Sequence, residues 1–167
     1  MRGYVLAALM TLTPMGVYAH SDLTAHDHSD LSSLSAEDYA LPDKLNLPRN
    51  ATNAWVKQDG DGLRANIDQY HTGRNTNAII QQQGGGHTAD ITQLYGNNDL
   101  AIISQAGWGN DAEIIQKGSG NAAAISQDGY ANYAKIVQVG NNLAGIKVSQ
   151  TGVGKAITVK VTNGYAR

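Results

Sequence analysis

The repeat that decides the fold is clearest at residues 112–127, which read AEIIQKGSGNAAAISQ. Residues 112–116 form the pattern Ala-x-Ile-x-Gln, and this pattern returns eleven residues later at 123–127. The stretch between the two copies, 117–121, contains Gly and Asn. A short motif repeated at a fixed period indicates a fold built from stacked copies of one structural unit.

The same motif recurs along most of the chain. Most copies end in Gln, and Ala and a β-branched residue precede that Gln at alternate positions. A tenth copy, at 157–161, keeps the alternation but lacks the Gln. The Gln residues are Gln58, Gln69, Gln82, Gln93, Gln105, Gln116, Gln127, Gln138 and Gln150. The predicted apolar core is Ala54, Val56, Ala65, Ile67, Ala78, Ile80, Ala89, Ile91, Ala101, Ile103, Ala112, Ile114, Ala123, Ile125, Ala134, Ile136, Ile146, Val148, Ile157 and Val159.

Each copy predicts a short strand followed by a turn. Side chains within a copy alternate at period two, as they do along a strand. An eleven-residue period also suits a right-handed coiled coil, but Gly in almost every copy disfavours a helix. Ten strands, two to a repeat, predict an all-β fold over residues 51–162. This fold is a five-repeat β-solenoid with two facing parallel sheets and the strand stacking of cross-β amyloid.

The amide at an inward position needs a partner, because a buried and unsatisfied polar group costs about 1–3 kcal/mol. In a solenoid each inward Gln lies over its counterpart one layer away, so that it can donate to one neighbour and accept from the other. The Gln residues are therefore predicted to form a hydrogen-bonded ladder. Asn110, Asn121 and Asn132 begin their strands in the same inward phase and predict a second ladder beside the turn.

The two ends of such a stack would present unpaired backbone groups and amides. Other solenoids cover their ends with atypical polar repeats. Here the first strand, 54–58, already matches the repeat and has no predicted folded cap before it. The sequence therefore predicts self-association into fibres.

The regions outside the repeats predict export and an extended leader. Residues 1–19 combine Arg2, a short apolar stretch and the sequence Val17-Tyr18-Ala19, which is typical of a cleaved secretory signal peptide. Residues 20–50 are polar and are predicted to be a flexible arm, and 163–167 form a C-terminal tail. His20, His26 and His28 lie among acidic residues in the arm, at a spacing that fits no defined metal site.

Composition argues against several classes of function. The formal net charge is −2, which does not favour nucleic acid as a partner, and the chain has no Cys. No arrangement of residues predicts a catalytic, cofactor or metal site. A monomeric solenoid that binds carbohydrate or ice is a remote alternative, because the outward positions do not repeat one residue type.

The pattern Ala-x-Ile-x-Gln-x-Gly-x-x-Asn, in five repeats behind a signal peptide and a polar arm, resembles the curlin family. Curlins are the secreted subunits of curli, the functional amyloid fibres of bacterial surfaces and biofilms. The resemblance implies a chain that is exported through the curli secretion pore, acts with accessory proteins and the other curlin subunit, and remains at the outer surface of the cell. It implies neither a cofactor nor an enzymatic activity.

Within this family a major subunit builds the fibre and a minor subunit nucleates it. The Ile-rich repeats, and the stretch 114–121 in particular, are more similar to the minor subunit. In that subunit the last repeat is basic and degenerate and is associated with attachment to the cell surface. The resemblance implies such a role here for Lys155, Lys160 and Arg167, as contacts to the outer-membrane surface or to an accessory protein. The alternatives are that these cations limit aggregation and that the chain is the major subunit.

Overall fold

The computed structural model describes residues 17–19 and 30–163, which form twelve strands and one helix. Arg167 and the three arm histidines lie outside the described residues. The elements are β1 (Val17–Ala19), β2 (Asp30–Ser32), α1 (Ala36–Lys44), β3 (Thr52–Asp61), β4 (Arg64–Tyr70), β5 (Thr76–Gly85), β6 (Thr88–Leu94), β7 (Leu100–Trp108), β8 (Asp111–Lys117), β9 (Ala122–Tyr130), β10 (Tyr133–Val139), β11 (Ile146–Val153) and β12 (Ala156–Thr162).

The strands form two six-stranded sheets between which the chain alternates. Sheet I has the order β1-β12-β10-β8-β6-β4, and sheet II has the order β2-β11-β9-β7-β5-β3. From β3 to β12 all pairing is parallel, so these ten strands form five layers of two strands each. We call β3 and β4 the first layer, and β11 and β12 the last layer. The predicted five-repeat β-solenoid with two parallel sheets is confirmed.

The register places equivalent residues of the repeat directly above one another. Ile80 pairs with Ile103, and Ile103 pairs with Ile125, so that one column of sheet II is apolar from layer to layer. The Ala and Ile side chains of the three middle layers are almost completely buried between the sheets. Ala54 and Val56 are predicted core residues of the first layer, and both are exposed, Val56 to 44%. They belong to a layer that is covered on one side only.

The strand-to-turn transitions depend on Gly where layers approach closely. Gly107 has a positive φ of 98°, which L side chains rarely adopt. A Cβ atom on Gly107 would also lie only 2.1 Å from the carbonyl oxygen of Gly129 in the next layer. The same Gly therefore recurs at the same place in successive layers because the stacked backbones leave no room for a side chain.

The polar arm contains a helix that sequence analysis did not predict. Ser35 caps α1, and the Ser35 hydroxyl and the Asp38 carboxylate form a reciprocal capping box. Leu34, Leu41, Leu45 and Leu47 of this segment pack on an apolar stripe along the outer face of sheet II. The stripe consists of Trp55, Ile79, Ile102 and Ala124. Flexibility of the arm as a whole stays a prediction.

The two ends of the stack differ in whether a further strand pairs with the outermost layer. At the last layer, β1 lies antiparallel against β12 and β2 lies antiparallel against β11. At the first layer, no described strand pairs with the outer edges of β3 and β4. The expectation that both ends are open is therefore wrong for the last layer, where the N-terminal segment of the same chain folds back onto it. No helix in the described part of the chain is long and apolar enough to cross a bilayer.

Candidate functional site

The first feature of the candidate site is a column of Gln side chains inside sheet II. Each Gln donates from its Nε2 to the Oε1 of the Gln in the next layer, at 2.8–2.9 Å. The direction of donation is the same at every step and runs from the first layer to the last. The members of the column, in order, are Gln58, Gln82, Gln105, Gln127 and Gln150.

A second column lies inside sheet I and has the same direction of donation. Its members are Gln69, Gln93, Gln116 and Gln138, and the N–O distances are again 2.8–2.9 Å. In the last layer Val161 occupies the position that pairs with Gln138. The nine predicted Gln residues therefore form two columns, of which only the sheet II column runs through all five layers.

Each buried Gln uses its second amide hydrogen on the backbone of the opposite sheet. Gln116 Nε2 donates to the carbonyl of Leu100 at 3.0 Å, and Gln105 Nε2 donates to the carbonyl of Thr88 at 2.9 Å. Gln127 and Gln138 make equivalent bonds. These amides join neighbouring layers and also link the two sheets, so they are fully paired although they are buried.

The three Asn residues predicted to form one ladder do not share a column. Asn110 and Asn132 lie one above the other, and Asn132 Nδ2 donates to Asn110 Oδ1 at 3.1 Å. Asn121 lies at the other turn, above Asp99. The reason is that successive strands belong to opposite sheets, so a residue eleven positions on begins a strand at the opposite turn. Sequence analysis followed the phase along the chain and did not assign the two turns separately.

Asp99 is a buried carboxylate that sequence analysis missed. It is 1% exposed, and its Oδ1 accepts a hydrogen bond from the backbone amide of Asn121 at 2.8 Å. Its Oδ2 has no hydrogen-bond partner among the described residues. Burial raises the pKa of Asp99 to about 6, against the opposing effect of hydrogen bonds from Asn121 and Gly120. The sequence did contain a signal for this site, because Asp99 occupies the turn position that Asn121 occupies in the next repeat.

The first layer presents the open ends of both Gln columns. Gln58 is exposed and Gln69 is half-buried, and each donates towards the second layer. Among the described residues, none donates a hydrogen bond to the Oε1 atom of either side chain. Since every other Oε1 in these columns accepts from the preceding layer, the first layer has the geometry of a layer whose neighbour is missing.

The cations predicted for surface attachment occupy different environments. Lys160 is exposed on the outer face of β12. Lys155 is only 9% exposed, and its backbone amide donates to Asn132 Oδ1 at 3.0 Å, so that it continues the Asn column at the turn. Such burial does not fit an attachment surface. Lys147 binds Asp38 of α1 at 3.0 Å.

The described residues contain no group of three or more His, Cys, Asp or Glu residues placed to hold a metal ion. The close-packed Ala, Ile and Gln side chains fill the space between the two sheets. The first layer instead presents strand edges that no described strand pairs with, next to regularly stacked amides, and such groups can pair with further strands.

Comparison with known proteins supports a family for these repeats. Residues 107–140, from the end of β7 to just after β10, match the family described as curlin associated repeat. This match supports the curlin family and a structural protein with this repeat. No curated protein and no solved structure matched the chain.

Proposed function

We propose that this chain, which carries curlin repeats, is a subunit of extracellular curli fibres and acts as their nucleator at the cell surface. One observation carries the proposal: the first layer is an open copy of the repeating unit. No described strand pairs with its outer strand edges, and no described residue donates to the Oε1 acceptor of either of its two Gln side chains. A strand edge of this kind adds further strands by backbone hydrogen bonding.

Assembly of this kind requires that one layer can follow another without a change of geometry. Within the chain this step is made four times with equivalent positions in register, and the sheet II amide bond is repeated at all four steps. A fifth step, between two chains, would continue the cross-β stack at about 4.8 Å per layer. The expected product is an unbranched fibre with strands perpendicular to its axis.

The nucleating role is a more specific proposal, and it rests on the sequence of the last repeat. Its second strand, β12, lacks the Gln that the other strands of the repeats have and carries Lys160, which is exposed. In the chain at the base of a fibre, whose last layer no further chain covers, this strand would contact a different partner, for which we propose the anionic outer-membrane surface or an accessory protein of curli export. The arm, residues 20–50, is the proposed contact with the secretion pore. The alternative is the major, fibre-forming subunit.

The first experiment is assembly of the purified mature chain, residues 20–167. We expect thioflavin-binding fibres with a meridional reflection at about 4.7–4.8 Å. A chain that remains a soluble monomer under these conditions would overturn the proposal of a fibre subunit.

The second experiment separates nucleator from major subunit. The mature chain is added at a few per cent to the partner curlin subunit of the same bacterium, and thioflavin fluorescence is followed over time. A nucleator shortens the lag phase and remains a minor, cell-attached component. If this chain instead forms the bulk of the fibre and requires another protein to begin, the major-subunit alternative is correct.

A further inference from the structure

We propose that successive chains stack head to tail, with the last layer of one chain on the first layer of the next, and that Lys160 of one chain lies beside Asp68 of the next. This inference rests on the proposed fibre function. It adds the polarity of the junction, its register and the charged pair that fixes that register.

The register follows from the columns inside the chain. In sheet I, residue 68 pairs in successive steps with residues 92, 115, 137 and 160. In sheet II, residue 58 pairs in the same way with residues 82, 105, 127 and 150. If a second chain continues both sheets without a shift, its residue 68 follows residue 160 and its residue 58 follows residue 150.

Charges at the two ends of one column are complementary. Asp68 lies in the first layer and Lys160 in the last layer, and both side chains are exposed on the outer face of sheet I. The residues between them, Thr92, Ile115 and Val137, are uncharged. Among the described residues, neither Asp68 nor Lys160 forms an ion pair. The two charges therefore have no partner one layer away until a second chain supplies one.

The chain contains one example of such a pair between adjacent layers. In the neighbouring column on the same face, Lys135 Nζ lies 2.7 Å from Glu113 Oε2, one layer away. This distance shows that the layer spacing allows direct contact. The hydrogen bond to Glu113 accordingly raises the pKa of Lys135. Lys160 and the next chain's Asp68 would be separated by the same single step.

The amide columns select the same polarity. Every Gln in sheet II donates towards the last layer, so the first layer presents Gln58 as an acceptor. Head-to-tail stacking places the Gln150 amide of one chain next to this acceptor and continues the direction of donation. Stacking of two first layers would instead bring the open acceptors, and the acidic residues of those layers, towards each other.

Stacking in this register requires that the N-terminal segment leaves the last layer. β1 lies within the predicted signal peptide, whose removal would free the edge of β12. β2 belongs to the mature chain, and it is held at β11 together with the Asp38–Lys147 ion pair. The next chain's β3 would take the place of β2.

The test exchanges the charges of residues 68 and 160, at the two ends of the stack, in the mature chain, residues 20–167. Asp68→Lys alone places Lys beside Lys160 at each junction, and Lys160→Asp alone places Asp beside Asp68. We expect each variant to lengthen the assembly lag about two- to fivefold at low salt, the range of a single exposed ion pair. A 1:1 mixture of both variants should assemble faster than either variant alone, because alternating chains restore an opposite pair at every junction. The difference should diminish at about 0.5 M salt.

The matched control is Asp90→Lys, which changes the net charge equally but lies in the second layer. Its mixture with Lys160→Asp should assemble more slowly than Asp90→Lys alone, since each Lys160→Asp chain still brings Asp beside Asp68 of the chain that follows it. The proposed register is overturned if the mixture of Asp68→Lys and Lys160→Asp is no faster than the faster single variant, or if both single variants assemble like the wild type. Failure of the wild-type chain to form fibres would instead overturn the proposed function, so the two failures are distinguishable.

Discussion

The middle layers and the first layer contain the same motif in different environments. Ile103 and Gln105, in the third layer, are buried, whereas Val56 and Gln58, in the same columns of sheet II but in the first layer, are exposed. The difference arises because a middle layer has a neighbour on both sides. Each copy of the motif therefore supplies the side chains for only one side of each contact between layers. The stability of a layer depends on whether a neighbouring layer supplies the other side. Substitutions at equivalent positions should then have unequal effects.

The largest expected difference is between Gly107→Ala and Gly152→Ala. At Gly107 the new Cβ would lie 2.1 Å from the Gly129 carbonyl oxygen, and the stacked backbone cannot move aside. At Gly152, in the last layer, the nearest atom is Cε of Lys155 at 3.5 Å. We expect Gly107→Ala to cost at least about 4 kcal/mol of unfolding free energy. Gly152→Ala should cost about 1–3 kcal/mol, from its positive φ alone. Urea unfolding of freshly diluted chains, followed by circular dichroism, measures both.

Gly152→Ala also tests the junction, because the proposed register places Gly60 of the next chain over it. We expect the folded variant to assemble much more slowly than the wild type. Gly154→Ala is the control: it has no atom within 4 Å, and Ala131 already occupies the equivalent position one layer earlier with a positive φ of 54°. Equal assembly rates for Gly152→Ala and Gly154→Ala would contradict the proposed contact.

A smaller difference is expected between Gln116→Leu and Gln58→Leu. Leu at 116 removes the acceptor for Gln93 and the donor to Gln138 and to the Leu100 carbonyl. Each buried group left unpaired costs about 1–3 kcal/mol, so we expect a loss of about 3–5 kcal/mol and slower fibre formation. Leu at 58 leaves only the acceptor of Gln82 without its donor, in a partly exposed layer. We expect a loss of about 1 kcal/mol.

The same urea measurement decides this comparison, and thioflavin fluorescence reports assembly. Equal losses of stability for the two variants would mean that burial does not govern the strength of the ladder. Unchanged fibre kinetics for Gln116→Leu would mean that the ladder is incidental to assembly.

The repeated part of the fold could be predicted from sequence because each layer obeys one local rule. The alternation of inward and outward residues within each copy predicted the strands. The spacing of the Gln residues predicted the number of layers and the residues that face inward. The assignment of Asn121 failed for the same reason: a rule that treats all copies alike does not distinguish the two turns. Applying the predicted alternation of strands between the two sheets to the turns as well would have separated Asn121 from Asn110.

The non-repeated parts were not predictable by this rule. α1 contains Pro42 and has no regular apolar period, so its packing depends on contacts with the stripe at Ile79 and Ile102 rather than on its own pattern. Likewise, nothing in the local sequence of residues 30–32 indicates that they pair with β11, more than a hundred residues away. Such contacts follow from which strand edge is available in the folded chain.

The smallest expected effect concerns Asp99, which occupies a position where the next layer of the same column has Asn121. Asn121 Nδ2 donates to the carbonyl of Gly140 at 2.9 Å, but an ionised Asp99 has no hydrogen to donate in the corresponding direction, towards Gly118. Burial raises the pKa of Asp99 from 3.8 to about 6 in the folded chain, so the folded state holds the proton more tightly than the unfolded state. The stabilisation is fully present below pH 3.8 and is lost as the pH rises through 6.

We therefore expect the wild-type chain to be less stable at pH 7.5 than at pH 5, by at most about 1.4 kcal/mol, because only the interval from pH 5 to the pKa of about 6 contributes. Asp99→Asn supplies the missing donor without a charge. It should raise the urea midpoint at pH 7.5 and reduce the difference between the two pH values. Asp68→Asn is a suitable control, because it makes the same chemical change at an exposed position of the first layer. If Asp99→Asn retains the wild-type pH dependence, another group is responsible. If Asp99→Asn lowers the stability at pH 7.5, Asn at position 99 does not form the hydrogen bond that Asn121 forms in the next layer. The turns of these two layers then differ although their strands are in register.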